Sequence, residues 1–302
     1  VPRYSFPTRI GALARTTVFL LLGLIAACDE APPVELSGYL YFGSGNYLVQ
    51  LSLRNGSTAI AGKLADVDIR DIKRYGDVSL LLTVVGPVNR KETWRLLRFD
   101  LDVGHAAILF DSHGGLYLPG PETLLYDDGV RLRATVWDGD DPEIIVVDRH
   151  AVSAMMHLIA VSPSAAIYSA GDGPIRRYDF GDRSRTDLDA LSAVCSLPHA
   201  VWIRGRQRLL CRLRDASAGP PAYALVGLDG EVDTRLSLPD GGPFKAVAYL
   251  PDYDAAVFTE SWKGFFGDRR KTAVWIYDFS RGVAWRLLED QYLGDSAVFS
   301  RM

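Results

Sequence analysis

HLIAVSPSAAIYSAG (157–171), AVCSLPHAVWIRG (193–205) and AVAYLPDYDAAVFTE (246–260) are three versions of one phrase. In each, a short apolar run meets a turn marked by Pro163, Pro198 or Pro251, and a second β-prone run follows around AAIYS, AVWI or AAVFT. Proline suits the connection, because its missing N–H then breaks no ladder hydrogen bond. A shorter version, YLGDSAVFS, stands at 292–300. Between these phrases lies a second kind of hairpin, with a tight Asp, Gly or Asn turn. It reads YLVQLSLRNGSTAIA (47–61), TLLYDDGVRLRATVW (123–137), IRRYDFGDRSRTDLD (175–189), YALVGLDGEVDTRL (223–236) and AVWIYDFSRGVAWRLL (273–288), and WRLLRFDL (94–101) supplies one more first strand. Asn-Gly and Asp-Gly accept the positive φ that tight antiparallel hairpins require.

Taking Leu51, Leu97, Leu125, Tyr178, Val226 and Tyr277 as centres, the hairpins recur about every 50 residues, with one short gap of 28. Two hairpins per unit make a four-stranded antiparallel sheet, and no long amphipathic helix competes with this reading. The stretch HAVSAMMHLIAV (150–161) has some helical character, but its second half reads as strand. Such sheets, repeated five to seven times, bury both faces against their neighbours by radial packing. The expected fold is therefore all-β, a β-propeller of about six blades, with a pair of β-sandwiches as the alternative. The terminal YLGDSAVFS is expected to pair with strands of the 38–62 region and close the ring. The chain resembles degenerate bacterial propellers of the WD40-like or quinoprotein-like kind, although the regular Gly-His and Trp-Asp signatures are missing.

The 302 residues carry 33 Lys and Arg against 37 Asp and Glu, a net charge of −4, with 48% hydrophobic residues. This is the composition of a folded protein, and its mild acidity argues against a nucleic-acid partner, which would need concentrated positive charge. The charge is unevenly placed. Residues 1–27 hold Arg3, Arg9 and Arg15 and no acid, which leaves 30 basic and 37 acidic residues beyond them, or −7.

VPRYSFPTRIGALAR (1–15) is a basic segment, and TTVFLLLGLIAA (16–27) is an apolar run of 12 residues. That run is short for a spanning helix, which needs about 20 residues, and the combination is that of a secretory leader. It ends in LIAAC (24–28), which resembles a bacterial lipobox. The resemblance implies cleavage before Cys28, acylation of its sulfur with palmitate-type chains, and acylation of the new amino terminus. Several acyl chains hold a folded domain at a bilayer, since each buried methylene contributes about 0.8 kcal/mol. Asp29 resembles the retention signal of inner-membrane lipoproteins. The expected organisation is a leader at 1–27, an acidic, Pro-containing tether at 28–37 (CDEAPPVELS) and a propeller domain at 38–302, placed in the bacterial cell envelope and facing the periplasm.

Few residues advertise chemistry. Cys195 and Cys211 are 16 residues apart, and export permits a disulfide between them worth roughly 3 kcal/mol; two separate buried thiols are the alternative. Asp111 with His113, and Asp148 with His150, are the best local acid–histidine pairs, because residues two apart share one face of a strand. Turn hydrogen bonding or solvent exposure explains both more simply, so they are weak catalytic candidates. Histidine and cysteine spacing offers no zinc site. The acidic turns DDG (127–129) and DGDDPE (138–143) do not match a calcium loop. No phosphate cradle, nucleophile elbow or cofactor motif is visible, and neither metal nor cofactor is expected.

SWKGFFGDRRKT (261–272) is the most distinctive segment. Trp262, Phe265 and Phe266 are costly to leave in water, and Arg269, Arg270 and Lys271 make the stretch basic. Aromatic anchors beside Arg are common in protein interfaces, and near a membrane the same chemistry suits lipid headgroups; the simpler reading folds the aromatics back onto the domain and leaves the basic run facing solvent. The sequence thus points to a lipid-anchored binding or scaffold protein with an envelope protein as partner. The competing readings are a hydrolase- or lyase-like enzyme with its site at the central channel, and a small-ligand sensor.

Overall fold

Among the described residues the last strand pairs with the first. β24 (Ala297–Ser300) runs antiparallel to β1 (Tyr39–Ser44), with Leu40 opposite Phe299 and Phe42 opposite Ala297. With β2 (Tyr47–Ser52) and β3 (Thr58–Lys63) they form one four-stranded sheet in the order β24-β1-β2-β3. The computed structural model describes residues 35–302 apart from 76–77, 89–90, 113–116, 121–122, 129, 139–140, 150–155, 172, 215–221, 240–243, 264–269, 292, 294–296 and 301–302. Cys28 and residues 29–34 lie outside that set.

Five further antiparallel four-stranded sheets follow, each a simple meander. The second blade is β4 (Asp68–Arg74), β5 (Ser79–Val88), β6 (Lys91–Asp100) and β7 (His105–Ser112). The third is β8 (Tyr117–Gly120), β9 (Thr123–Asp127), β10 (Arg131–Asp138) and β11 (Asp141–Arg149). The fourth is β12 (Met156–Val161), β13 (Ala165–Ala170), β14 (Ile175–Asp179) and β15 (Arg185–Asp187). The fifth is β16 (Cys195–Ile203), β17 (Arg208–Leu213), β18 (Tyr223–Val226) and β19 (Val232–Leu236). The sixth is β20 (Phe244–Leu250), β21 (Ala255–Lys263), β22 (Arg270–Asp278) and β23 (Val283–Gln291). The inner strands β24, β4, β8, β12, β16 and β20 touch in that order, and β20 returns to β24. This closed ring is a six-bladed β-propeller and excludes the sandwich pair.

The core lies between blades. One cluster joins Tyr41 and Leu48 of the first blade to Ile72, Leu80 and Phe99 of the second. Others join Leu125 and Leu132 to Tyr168 across the third and fourth blades, and Leu210 and Tyr223 to Phe244 and Phe258 across the fifth and sixth. A middle strand is therefore covered on both faces, and its sequence is continuously apolar rather than alternating. Leu40, Tyr41 and Phe42 are consecutive and fully buried, as are the four residues of β18.

Three details of the sequence reading change. The hairpin at 123–137 joins the second and third strands of its blade, whereas the other four join the third and fourth. Its centre therefore falls early, which accounts for the gap of 28. Pro198 lies inside β16 and not between two strands; pairing with β17 is interrupted between Ser196 and Val201, and the bulge absorbs the missing donor. A short helix, α1 (Asp189–Val194), joins the fourth and fifth blades and was not anticipated. The second half of 150–161 is strand, as β12.

Tight turns carry the expected residues: Gly56 and Gly230 have φ of +68° and +83°. Cys195 and Cys211 form a disulfide with Cα atoms 5.7 Å apart, both residues fully buried. Cys211 faces the interrupted stretch of β16, so the bond secures the blade where its ladder is weakest.

Buried phenols give the fold a pH limit. Burial pushes the Tyr223 hydroxyl up to about 12, and burial together with the Asp254 carboxylate does the same to Tyr249. Tyr41, Tyr168 and Tyr277 are raised too, chiefly by burial. A phenol whose folded value exceeds its unfolded value of about 10 contributes stability that is complete below pH 10 and is lost as pH rises through the folded value. The propeller is expected to unfold between about pH 10 and 12, with phenolate absorbance rising in step with the loss of β circular dichroism. Ordinary titration of these tyrosines near pH 10 in a still-folded ring would contradict this.

Candidate functional site

Those of the residues singled out from the sequence that the structure describes do not converge on the central channel. Asp111, opposite Arg95, lies on β7, and Asp148 lies on β11, so both occupy the outermost strands of two different blades. His113 and His150 lie outside the described residues. The Asp148 carboxylate is occupied: Oδ2 accepts the Tyr168 hydroxyl at 2.9 Å and Arg176 at 3.0 Å, while Oδ1 accepts Arg185 at 2.8 Å and the Arg149 N–H at 2.8 Å. Burial, and next the charge of Asp148, raise the Tyr168 phenol. This carboxylate ties the outer strand of the third blade to three strands of the fourth. Among the described residues no group of three or more His, Cys, Asp or Glu is placed to hold a metal.

Both ends of the 261–272 segment are strand. Ser261 pairs with Thr272, Trp262 with Lys271 and Lys263 with Arg270, extending β21 and β22; 264–269 lies outside the described residues. Trp262 and Lys271 are half-buried. Phe265, Phe266 and Arg269 lie outside the described residues, as does the side chain of Arg270.

Two clefts stand out, both at blade junctions. One, of about 480 Å³, opens between the first and second blades beside Asn46, Asp66 and Asp68. The other, of about 320 Å³, lies between the fourth and fifth blades and joins apolar surface to cationic groups. The turn from β12 to β13 forms one wall. Pro163 sits at its exposed tip, and the Ser162 hydroxyl accepts the Ala165 N–H at 3.0 Å. Ile167 lies below it, with Arg177 directly opposite on β14.

The fifth blade supplies the facing wall. Trp202, the last residue but one of β16, is half-buried, and Arg204–Arg206 forms a single 3-10 turn. Gln207 closes that turn with φ of 53°, and both its N–H (3.3 Å) and its side-chain amide (3.2 Å) donate to the Arg204 carbonyl. The arginines here have separate duties. Arg206 forks onto Asp254 of the sixth blade and lies 5.3 Å from the Phe279 ring, and Arg208 binds Asp233. Asp254 is held below the usual carboxylate range by Arg206. Arg204 is exposed and lines the cleft, and no described carboxylate pairs with it. Arg177 is also exposed, and among the described residues its ion-pair partner is Asp179, at 3.6 Å. The result is an apolar groove whose charged lining is two guanidiniums.

The sequence does not single out Trp202 or either arginine as site residues. A signal existed: residues 176–214 hold nine Arg against four Asp in an otherwise acidic domain. What the sequence lacks is which of the nine are already paired.

No family model matches the chain, and no curated protein matches it. Solved structures do. A chain of a nidogen/laminin complex is 12% identical, with a TM-score of 0.59 over 88% of this chain and all of that one. A prolyl endopeptidase is 11% identical, with a TM-score of 0.51 over 89% of this chain and 50% of that one. At these identities the likeness establishes the propeller fold alone.

Proposed function

We propose that this chain is a lipid-anchored, extracytoplasmic binding protein whose propeller presents inter-strand turns to a protein partner in the cell envelope. The observation that carries the binding reading is the groove between the fourth and fifth blades, where the half-buried Trp202 of β16 and the exposed Arg177 of β14 flank Arg204, which stands exposed on a hydrogen-bonded turn. Turns fixed in advance lose little conformational freedom on binding, so contact energy goes into affinity. The anchoring reading is supported by LIAAC at 24–28, with Cys28 as the acylated residue and Asp29 favouring the inner membrane. The Cys195–Cys211 disulfide suits an oxidising compartment.

The anchor is tested by expressing the full chain in a Gram-negative host and fractionating it. The wild-type chain should stay with membranes through a carbonate wash, and Cys28→Ala should lose acyl labelling and that retention. Equal retention of both chains would overturn the anchor. A photo-crosslinking residue introduced at position 204 and, separately, at 262 should give discrete adducts with an envelope protein in cells. Absence of adducts at both positions would overturn the binding reading.

A further inference from the structure

We infer that the groove between the fourth and fifth blades binds a peptide segment carrying a free carboxylate next to an apolar side chain. This rests on the reading of the chain as a protein-binding propeller and names the chemistry of the segment recognised. Three observations carry it. The charged lining is Arg177 and Arg204 alone, without an acidic side chain, in a domain whose net charge beyond residue 27 is −7. Two guanidiniums, only one of them paired and that loosely with Asp179, favour an anionic ligand.

The second observation is the division of labour among neighbouring arginines. Arg176, Arg183, Arg185, Arg206 and Arg208 are held by carboxylates at 3.2 Å or less, whereas Arg177 has only the 3.6 Å contact and Arg204 none among the described residues. Arg212 and Arg214 also lack a described carboxylate partner, but of these less engaged arginines only Arg177 and Arg204 face the groove. Guanidinium matches a carboxylate with paired N–H donors, a geometry suited to specific recognition.

The third observation is the groove itself. Its floor and wall are Ile167, Leu228 and the half-buried Trp202 ring, and its volume of about 320 Å³ lies at the small end of ligand sites, sized for a few residues and not a folded surface. The hydroxyl-bearing turn of Ser162 and Ser164 borders it with groups able to meet a peptide backbone. An extended segment with its carboxylate at the arginines and a large apolar side chain against Trp202 satisfies both halves of the site.

The test uses the full chain labelled with ¹⁵N and two probes, acetyl-Gly-Leu-Phe with a free carboxylate and the same peptide as its amide. Of six tryptophan indole signals, Trp202 is assigned by Trp202→Phe. The acid peptide should shift the Trp202 indole with at least about tenfold tighter affinity than the amide, and Arg204→Gln or Arg177→Gln should each remove about tenfold from acid binding only. Equal binding of acid and amide, or an unmoved Trp202 signal at millimolar peptide, overturns the inference. A shift produced by phosphatidylglycerol micelles but by neither peptide also overturns it, in favour of lipid. If both peptides fail while crosslinking from 262 still captures an envelope protein, the groove chemistry falls and the binding reading stands; loss of both sinks the two together.

Discussion

Phe299→Ala is expected to cost about 3–5 kcal/mol, in the range of buried aromatic truncations, and to lower the thermal midpoint by on the order of 10 °C. The reason is where the ring sits. Phe299 is 5% exposed on β24, the strand that supplies the inner edge of the first blade from the far end of the chain. It meets Tyr253, in the β20–β21 turn of the sixth blade, edge-on at 6.5 Å. Gly38 lies against the same ring: a Cβ there would fall 2.8 Å from Phe299, and its φ is +97°. Ser37 completes the clasp by donating its N–H to the Tyr253 hydroxyl at 2.8 Å.

Both ends of the domain therefore converge on one aromatic contact, and its loss acts on ring closure as well as on local packing. Opening the ring would uncover β1, whose Leu40, Tyr41 and Phe42 are fully buried. Contacts between residues so distant in sequence form late in folding, so the variant is expected to unfold faster with little change in folding rate. Tyr253→Phe is the control: it keeps the ring and removes only the hydroxyl bonds, at about 1 kcal/mol. Thermal melts followed by circular dichroism check both. A Phe299→Ala midpoint within about 2 °C of wild type would show that β24 does not close the ring energetically.

The architecture was legible because its signals are local. Asp-Gly and Asn-Gly turns announce hairpins through backbone sterics, and runs such as YALV (223–226) announce strands covered on both faces. YLGDSAVFS could be recognised as a closing strand because it repeats a phrase met three times before. Pro198 misled for an equally physical reason: a proline between two apolar runs reads as a turn unless a partner strand shows that a bulge can take it. The site was less legible because it is a property of pairing. Arg204, Arg206 and Arg208 are indistinguishable as letters, yet one lines a groove, one bridges to the next blade and one is spent on Asp233. Asp148 is the converse, a residue whose place beside a histidine suggested chemistry and whose carboxylate is consumed by its neighbours.

That carboxylate supports the second large expectation. Asp148→Ala should cost about 3–5 kcal/mol, the range for removing one partner of a buried ion pair. Its side chain is 5% exposed and accepts from two arginines and a phenol, so alanine leaves several donors unmet. They are not equally stranded. Arg185 is about half exposed and can turn to water, and Arg176 keeps Asp187 at 3.2 Å, but the Tyr168 hydroxyl is fully buried. Most of the cost should therefore arise at Tyr168. Two consequences follow from that assignment. Asp148→Asn, which retains an acceptor for the phenol, should be milder than Asp148→Ala. Asp148→Ala combined with Tyr168→Phe should be less damaging than the two single changes added together, by about 1–3 kcal/mol, since removing the orphaned hydroxyl relieves the penalty. Urea unfolding midpoints at unchanged slope give these differences directly. Strict additivity in the double variant would place the energy of this junction in the arginine pairs instead.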